Sequence, residues 1–226
     1  MARDRPLLRR TARRRAGPAV LSFRCTGARP EPYAAGPSLL LELQITDDSG
    51  TRVHSVALRT QIRIEPRGRP YSDAEQAKLV DLFGEPSRWG ATLNPLQLAT
   101  VGTTVTGFTA ATTVELPVPL TYDLDIAATK YFHGLAGGEV PLLLLFSGTV
   151  YVAGPTGVQL GLLSWSEEAS FRLPVATWRA AMDEHHPASG WIRVSTRTLD
   201  ALSAYRSEHV IPTWDDTLER LLKEAR

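Results

Sequence analysis

From Val56 to Glu65 the chain alternates without a break. Val56, Leu58, Thr60, Ile62 and Ile64 interleave with Ala57, Arg59, Gln61, Arg63 and Glu65. A period of two puts one set on each face of a β-strand, so this segment needs an apolar layer beneath it and water above. Other segments ask for the same arrangement. Ala19–Thr26 reads as a first strand, ended by Arg29-Pro30-Glu31-Pro32, and Ser38–Thr46 as a second, closed by Asp47-Asp48-Ser49-Gly50. That short turn suggests a hairpin between the second strand and the alternating third.

Ser72 and Glu75 have the spacing of a helical capping box, and Leu79, Val80 and Phe83 follow before Gly84 and Pro86 stop the helix. A loop is expected over Gly90–Pro95. Strand patterns resume at Leu98–Phe108 and Thr112–Leu120. Pro117 and Pro119 share one parity in the latter, which marks an edge strand or a bend. Tyr122, Leu124, Ile126 and Ala128 alternate with Asp123, Asp125 and Ala127 as another strand. Pro141–Val152 is apolar nearly throughout and is expected to be central and buried on both faces, with Val158–Leu173 as its antiparallel partner. Helices follow at Val175–His185, Ser195–Ser207 and Thr213–Ala225, the last with Trp214, Leu218, Leu221 and Leu222 in a stripe.

Strands first and helices last imply an α+β fold: an antiparallel β-sandwich or strongly bent sheet with an inserted helix and C-terminal helices packed on it. The expected organisation is a basic, disordered tail over 1–18 and a single domain over 19–226, with strands to about 173 and helices from about 175. Of the 25 Lys and Arg residues, seven arginines fall within 1–16 beside a single acid, Asp4. The remainder carries 18 basic and 23 acidic residues, a formal charge of −5. The tail reads as a solvated extension. A signal peptide needs an apolar run that Ala16–Arg24 does not supply. Nucleic acid is expected only through the tail, which has no aromatic stacking platform. The apolar run Val140–Gly154 is broken and too short for a membrane-spanning helix, and the location expected is the cytoplasm.

The residues that could carry common catalytic chemistry suit structural roles. Cys25 is the only cysteine, in an N-terminal strand, which suits a small core residue and leaves no internal disulfide. No Gly-x-Ser-x-Gly elbow is present. The glycines at 137–138 and at 154 and 157 lack phosphate-loop spacing and suit hairpin turns. In Asp183-Glu184-His185-His186, adjacent imidazoles project about 100° apart on a helix, too far for one ion. No cofactor or metal is expected. Two candidate surfaces remain. One is an interaction surface built from the tryptophans, Trp89, Trp165, Trp178, Trp191 and Trp214, although these residues equally serve to anchor helices to a sheet. The other is a polar site for a small ligand or a reaction, with His133 among Asp123, Asp125 and Glu139. Asp123 and Asp125 share a strand face that Glu115 of the neighbouring strand would meet, a set that reads as a solvated face. Arg59 and Arg63 would pair with such acids across a sheet.

Several segments resemble an uncharacterised actinobacterial family, a domain of unknown function whose genes tend to lie near nickel–iron hydrogenase operons. They are Arg63-Ile64-Glu65-Pro66, Leu82-Phe83-Gly84-Glu85-Pro86 with Arg88-Trp89-Gly90, Pro141–Thr149, and Pro212-Thr213-Trp214-Asp215-Asp216. The resemblance spans roughly 19–225. It implies a non-enzymatic accessory or assembly role by protein–protein contact, with hydrogenase subunits or maturation factors as partners, and it supplies no catalytic residues. The order of long strands, the Trp191–Val194 segment and the Leu199-Asp200-Ala201-Leu202 helix is also similar to the export chaperone SecB, whose strands build a client-binding surface.

Overall fold

A computed structural model describes residues 20–121, 123, 126–154, 157–185, 187, 189 and 192–225. The tail at 1–18, and with it Tyr122, Leu124, Asp125, the Pro155–Thr156 turn, His186 and Trp191, lie outside the described residues. Among those described, β1 (Leu21–Pro30), β2 (Ser38–Asp47) and β5 (Ala111–Pro119) form a three-stranded antiparallel sheet in the order β1-β2-β5. The second sheet runs β4 (Leu96–Phe108), β3 (Val53–Ile64), β6 (Glu139–Gly154), with β7 (Gly157–Leu162) and β8 (Glu168–Pro174) each paired to a different stretch of β6. The architecture is α+β with sandwich-like packing, as the alternating segments require.

The inner faces meet through residues of one parity. Leu39, Leu41, Leu43 and Ile45 of β2 and Val56, Leu58, Ile62 and Ile64 of β3 enter one shared core, all at least 97% buried, and a register shift between Val53 and Ser55 brings Val53 in with them. Phe23 of β1 stacks on Phe146 of β6 with ring centroids 4.2 Å apart, bridging the two sheets. The β3 alternation has one polar member inside: Thr60 is fully buried and its Oγ1 has no hydrogen-bond partner. An unmade buried hydroxyl bond is costly. Thr60→Val will therefore raise the unfolding free energy by about 1 kcal/mol in denaturant titration, and a loss of stability would refute this.

The expected β2–β3 hairpin is not formed. Asp47 makes the expected turn, its carboxylate accepting from the Ser49 N–H at 3.1 Å and the Val20 N–H at 3.2 Å. The chain then crosses to the other sheet, where β3 pairs with β4 and β6. Alternation specifies which face is buried and is silent on which neighbour lies alongside. The β4–β5 connection crosses too, with Ala110 at φ 66°. As Pro117 and Pro119 require, β5 is an edge strand.

Three further expectations are corrected. The strand read over 122–128 gives way to α3 (Ala127–Gly134), in which Ala128, Tyr131, Phe132 and then Leu135 are buried at helical spacing. Asp123 lies on an isolated bridge, and Asp125, the other acid of the expected strand face, lies outside the described residues. Strand β6 is central but fully buried on its inner face only: Leu142 and Leu144 are enclosed, whereas Leu143 and Leu145 lie half-covered on the outside. Its partner is two strands, because the chain leaves the sheet between Leu162 and Glu168. The expected loop after Gly90 begins with a short helix, α2 (Trp89–Thr92).

The helix α1 (Asp73–Phe83) has the capping box read from the sequence. Ser72 Oγ accepts from the Glu75 N–H at 3.3 Å, and the Glu75 carboxylate accepts from the Ser72 N–H at 3.0 Å. Gly84 closes the helix at φ 72°. With α2, α3 and α4 (Val175–His185) it forms a helical cap whose core is a chain of rings. Trp89 packs edge-on to Tyr71 and Phe83, Phe83 to Tyr131, Tyr131 to Phe132, and Phe132 stacks on Trp178 at 4.9 Å. Helix α4 also packs on β1, β2 and β8, so it carries the expected packing of C-terminal helices on the sheets. Helices α5 (Thr196–Glu208) and α6 (Trp214–Glu224) pack on one another.

Candidate functional site: two exposed surfaces

The outer face of the five-stranded sheet is the first surface. Strand parity brings Arg59 and Gln61 of β3, Thr100 of β4 and Leu145 and Ser147 of β6 to this face. Trp165 stands beside them on the segment that leaves the sheet, and together they line a cleft of about 400 Å³. Ser164 and Ser166 hold that segment with a 2.7 Å hydroxyl contact, and the Trp165 side chain is almost wholly exposed. Gln61 donates to Gln97 at 2.7 Å. Of the acids expected to pair with Arg59 and Arg63, Glu115 is held elsewhere. It belongs to the other sheet and accepts from Arg29 at 2.6 Å; among the described residues Arg63 approaches Glu65, at 3.9 Å. Beyond Trp165 the face turns apolar, with Val158, Leu160 and Leu162 of β7 all exposed.

The second surface is the α5–α6 hairpin. Ser195 and Thr213 cap the two helices, each accepting from an N–H three residues on. Between them Val210 takes a left-handed conformation at φ 54°, while the Ile211 N–H reaches back to the Arg206 carbonyl. The helices are joined by polar and ring contacts: Arg206 lies 4.2 Å over the Trp214 ring, and Tyr205 donates to the Glu224 carboxylate at 3.0 Å. Arg220 and Tyr205 together hold that carboxyl below the usual glutamate range. Thr217 is the sole residue of the two helices that is fully enclosed. Trp214, Leu218 and Leu222 of α6 therefore remain exposed as an apolar stripe, and Leu199 of α5 is exposed as well.

The tryptophans thus divide. Trp89 and Trp178 are corrected from interaction surface to core, at 7% and 2% exposure, because the ring chain of the helical cap encloses them. The Trp89 indole N–H is also spent on the Gly84 carbonyl at 2.8 Å. Trp165 and Trp214 are the exposed ones, and Trp191 lies outside the described residues. Sequence could not divide them, since both classes sit at helix starts or strand ends.

The His133 ring meets the Trp178 ring edge-on at 5.1 Å, and burial together with the Arg179 cation pushes its pKa below the usual histidine range. Arg179 itself donates to the carbonyls of Leu135 and Ala136. Asp123 takes an N–H to Thr121 Oγ1 contact at 3.2 Å, Glu139 opens β6 opposite Pro174, and Asp125 lies outside the described residues. Among the described residues no three His, Cys, Asp or Glu side chains are grouped to hold a metal ion. Cys25 is buried, and that burial pushes its thiol up to about 11, so the thiolate needed for nucleophilic attack is scarce at neutral pH. No helix among the described residues is long and apolar enough to cross a membrane.

No curated protein matches the chain in sequence. Among solved structures it is similar to the CARDB domain of the PF1109 protein from Pyrococcus furiosus, at 8% identity and TM-score 0.27, over 75% of this chain and 98% of that one. It is similar also to a β-glucosidase from Kluyveromyces marxianus, at 7% identity and TM-score 0.26, over 68% of this chain and 15% of that one. A third is β-glucosidase 3B from Thermotoga neapolitana, at 14% identity and TM-score 0.25, over 68% and 17%. Likenesses this distant carry no argument about what the chain does. The sequence of residues 18–226, which takes in both sheets, the helical cap and the terminal hairpin, matches one family throughout, and the chain belongs to that family of unknown function, DUF6084.

Proposed function

We propose that this protein is a cytoplasmic, non-enzymatic accessory factor that works by protein–protein contact, offering its α5–α6 hairpin to a groove on a partner. The observation that carries this reading is the apolar stripe of that hairpin. Two short helices that enclose little but Thr217 have scant packing of their own, and short helices depend on the burial of an amphipathic face. Leu218 and Leu222 are one turn apart on α6 with Trp214 a further turn back, the spacing by which a helix anchors in a groove. Val210 adds support, since an exposed branched residue stands where glycine would sit without strain. The resemblance described above names the partners to look for: subunits or maturation factors of a nickel–iron hydrogenase.

Affinity purification of the tagged protein from its host tests the proposal. The wild-type chain is expected to bring down hydrogenase subunits or maturation factors in stoichiometric amounts. Leu218→Lys, at an exposed position that leaves the fold intact, weakens that recovery about tenfold or more, the cost of losing one buried anchor. Recovery of the protein alone, at low salt and with crosslinker, would overturn the reading.

A further inference from the structure

We infer that two copies of this chain pair through β7, antiparallel about a two-fold axis at Leu160, joining their five-stranded sheets into one continuous sheet. The other strand edges are protected. Strand β4 lies against β5 and β8 against β1, which closes the sandwich on both sides, and prolines further blunt β1, β5 and β8. Among the described residues β7 pairs with β6 and with no other strand. Its sequence, Gly-Val-Gln-Leu-Gly-Leu, has no charge and no proline, so none of the usual devices against strand addition is present.

The backbone parity of this edge follows from the register. The Leu163 N–H donates to the Gly148 carbonyl at 3.0 Å, which makes that pair a hydrogen-bonded one. Alternation along the antiparallel ladder then turns the N–H and C=O groups of Val158, Leu160 and Leu162 away from β6, toward the open edge. Their side chains stand on the outer face, 57%, 70% and 85% exposed.

A second copy satisfies this edge without mismatch. With Leu160 opposite its own counterpart, Val158 of each copy faces Leu162 of the other, all as hydrogen-bonded pairs. The three apolar side chains of each strand then lie against three of the same kind. Charge points the same way. Residues 140–166 contain no Asp, Glu, Lys, Arg or His, so two bodies that are otherwise net acidic approach each other at a neutral seam. The seam uses none of the residues of the α5–α6 stripe, so this pairing is argued independently of the accessory role.

The full chain tests the pairing by sedimentation and light scattering, from micromolar concentration up to the solubility limit. The expected mass at the upper end is twice 24.8 kDa. Leu160→Lys is expected to return the mass to that of one chain with an unchanged circular dichroism spectrum, and Leu218→Lys to leave the dimer in place. A second readout does not depend on the lysine variant. Facing Cα atoms in a hydrogen-bonded pair are about 5.5 Å apart, within disulfide reach. Leu160→Cys will therefore crosslink two chains under mild oxidation, while Gln159→Cys, of opposite parity, will not. A single-chain mass throughout, a dimer that survives Leu160→Lys or dissolves with Leu218→Lys, or equal crosslinking at 159 and 160 would each overturn the inference.

Discussion

Glu75→Ala will lower the unfolding free energy by about 3–5 kcal/mol, the cost of leaving one member of a buried ion pair alone. The Glu75 side chain is nearly enclosed and accepts from Arg69 Nη2 at 2.8 Å, from the Ser72 N–H at 3.0 Å and from the Ala136 N–H at 2.9 Å. It therefore caps α1, neutralises a buried guanidinium and ties the end of α3 to the start of α1. Removing it strands two backbone donors and a cation whose Nη1 already lacks a partner. The double variant Arg69→Met with Glu75→Leu will be milder than Glu75→Ala alone, because no uncompensated charge is left inside. If the double variant proves the worse of the two, the ion-pair account is wrong.

The same site has a pH signature. Burial pushes the Glu75 carboxyl upward, but the Ser72 and Ala136 N–H groups and the Arg69 cation outweigh it and hold the pKa below the usual glutamate range. A group whose pKa is depressed on folding adds stability in full above its unfolded value, about 4.3. That stability is lost as pH falls through the lower folded value. The gap in unfolding free energy between wild type and Glu75→Ala will thus be widest near neutral pH and narrow below about pH 4. A gap that does not change with pH would contradict this assignment.

Gly148→Ala will prevent folding into this sandwich, an effect above about 4 kcal/mol. Gly148 lies in the middle of β6 opposite Leu58, at φ 155°. A Cβ there would run into the Ala57 carbonyl oxygen and come within 3.3 Å of the Leu58 Cα. Both belong to the backbone of β3, which is itself paired on its far side with β4 and cannot shift without breaking that ladder. Gly137→Ala, where an added Cβ meets nothing within 4 Å, is the matched control and will leave thermal unfolding unchanged. A soluble Gly148→Ala protein with wild-type melting would show that β3 and β6 are not paired in this register.

Local rules were legible where a local cause acts. The Ser72–Glu75 box and the edge position of β5 each depend on residues a few positions apart, and each stands where the pattern put it. The end of α4 at His185 was equally readable, because Pro187 follows two residues on. Helix α3 was missed for a specific reason: alternation from Tyr122 ran into Ala127-Ala128, and the buried spacing of Ala128, Tyr131, Phe132 and Leu135 becomes visible only when counting begins at 128. For the candidate surfaces, the stripe on α6 was legible as a period. That it stays uncovered was not, since exposure depends on what the rest of the chain packs beside it.

The amino-acid order alone determined the alternating faces, the caps, the edge prolines and the α+β class, because each follows from sterics and hydrogen bonding within a few residues. Tertiary structure decided that β2 and β3 part into different sheets, that Trp89 and Trp178 close a ring core while Trp165 and Trp214 face water, and that β7 is left as the bare edge. These outcomes depend on which distant segment covers which face. A periodic pattern states that a face must be buried or paired, and only the assembled chain supplies the segment that does so.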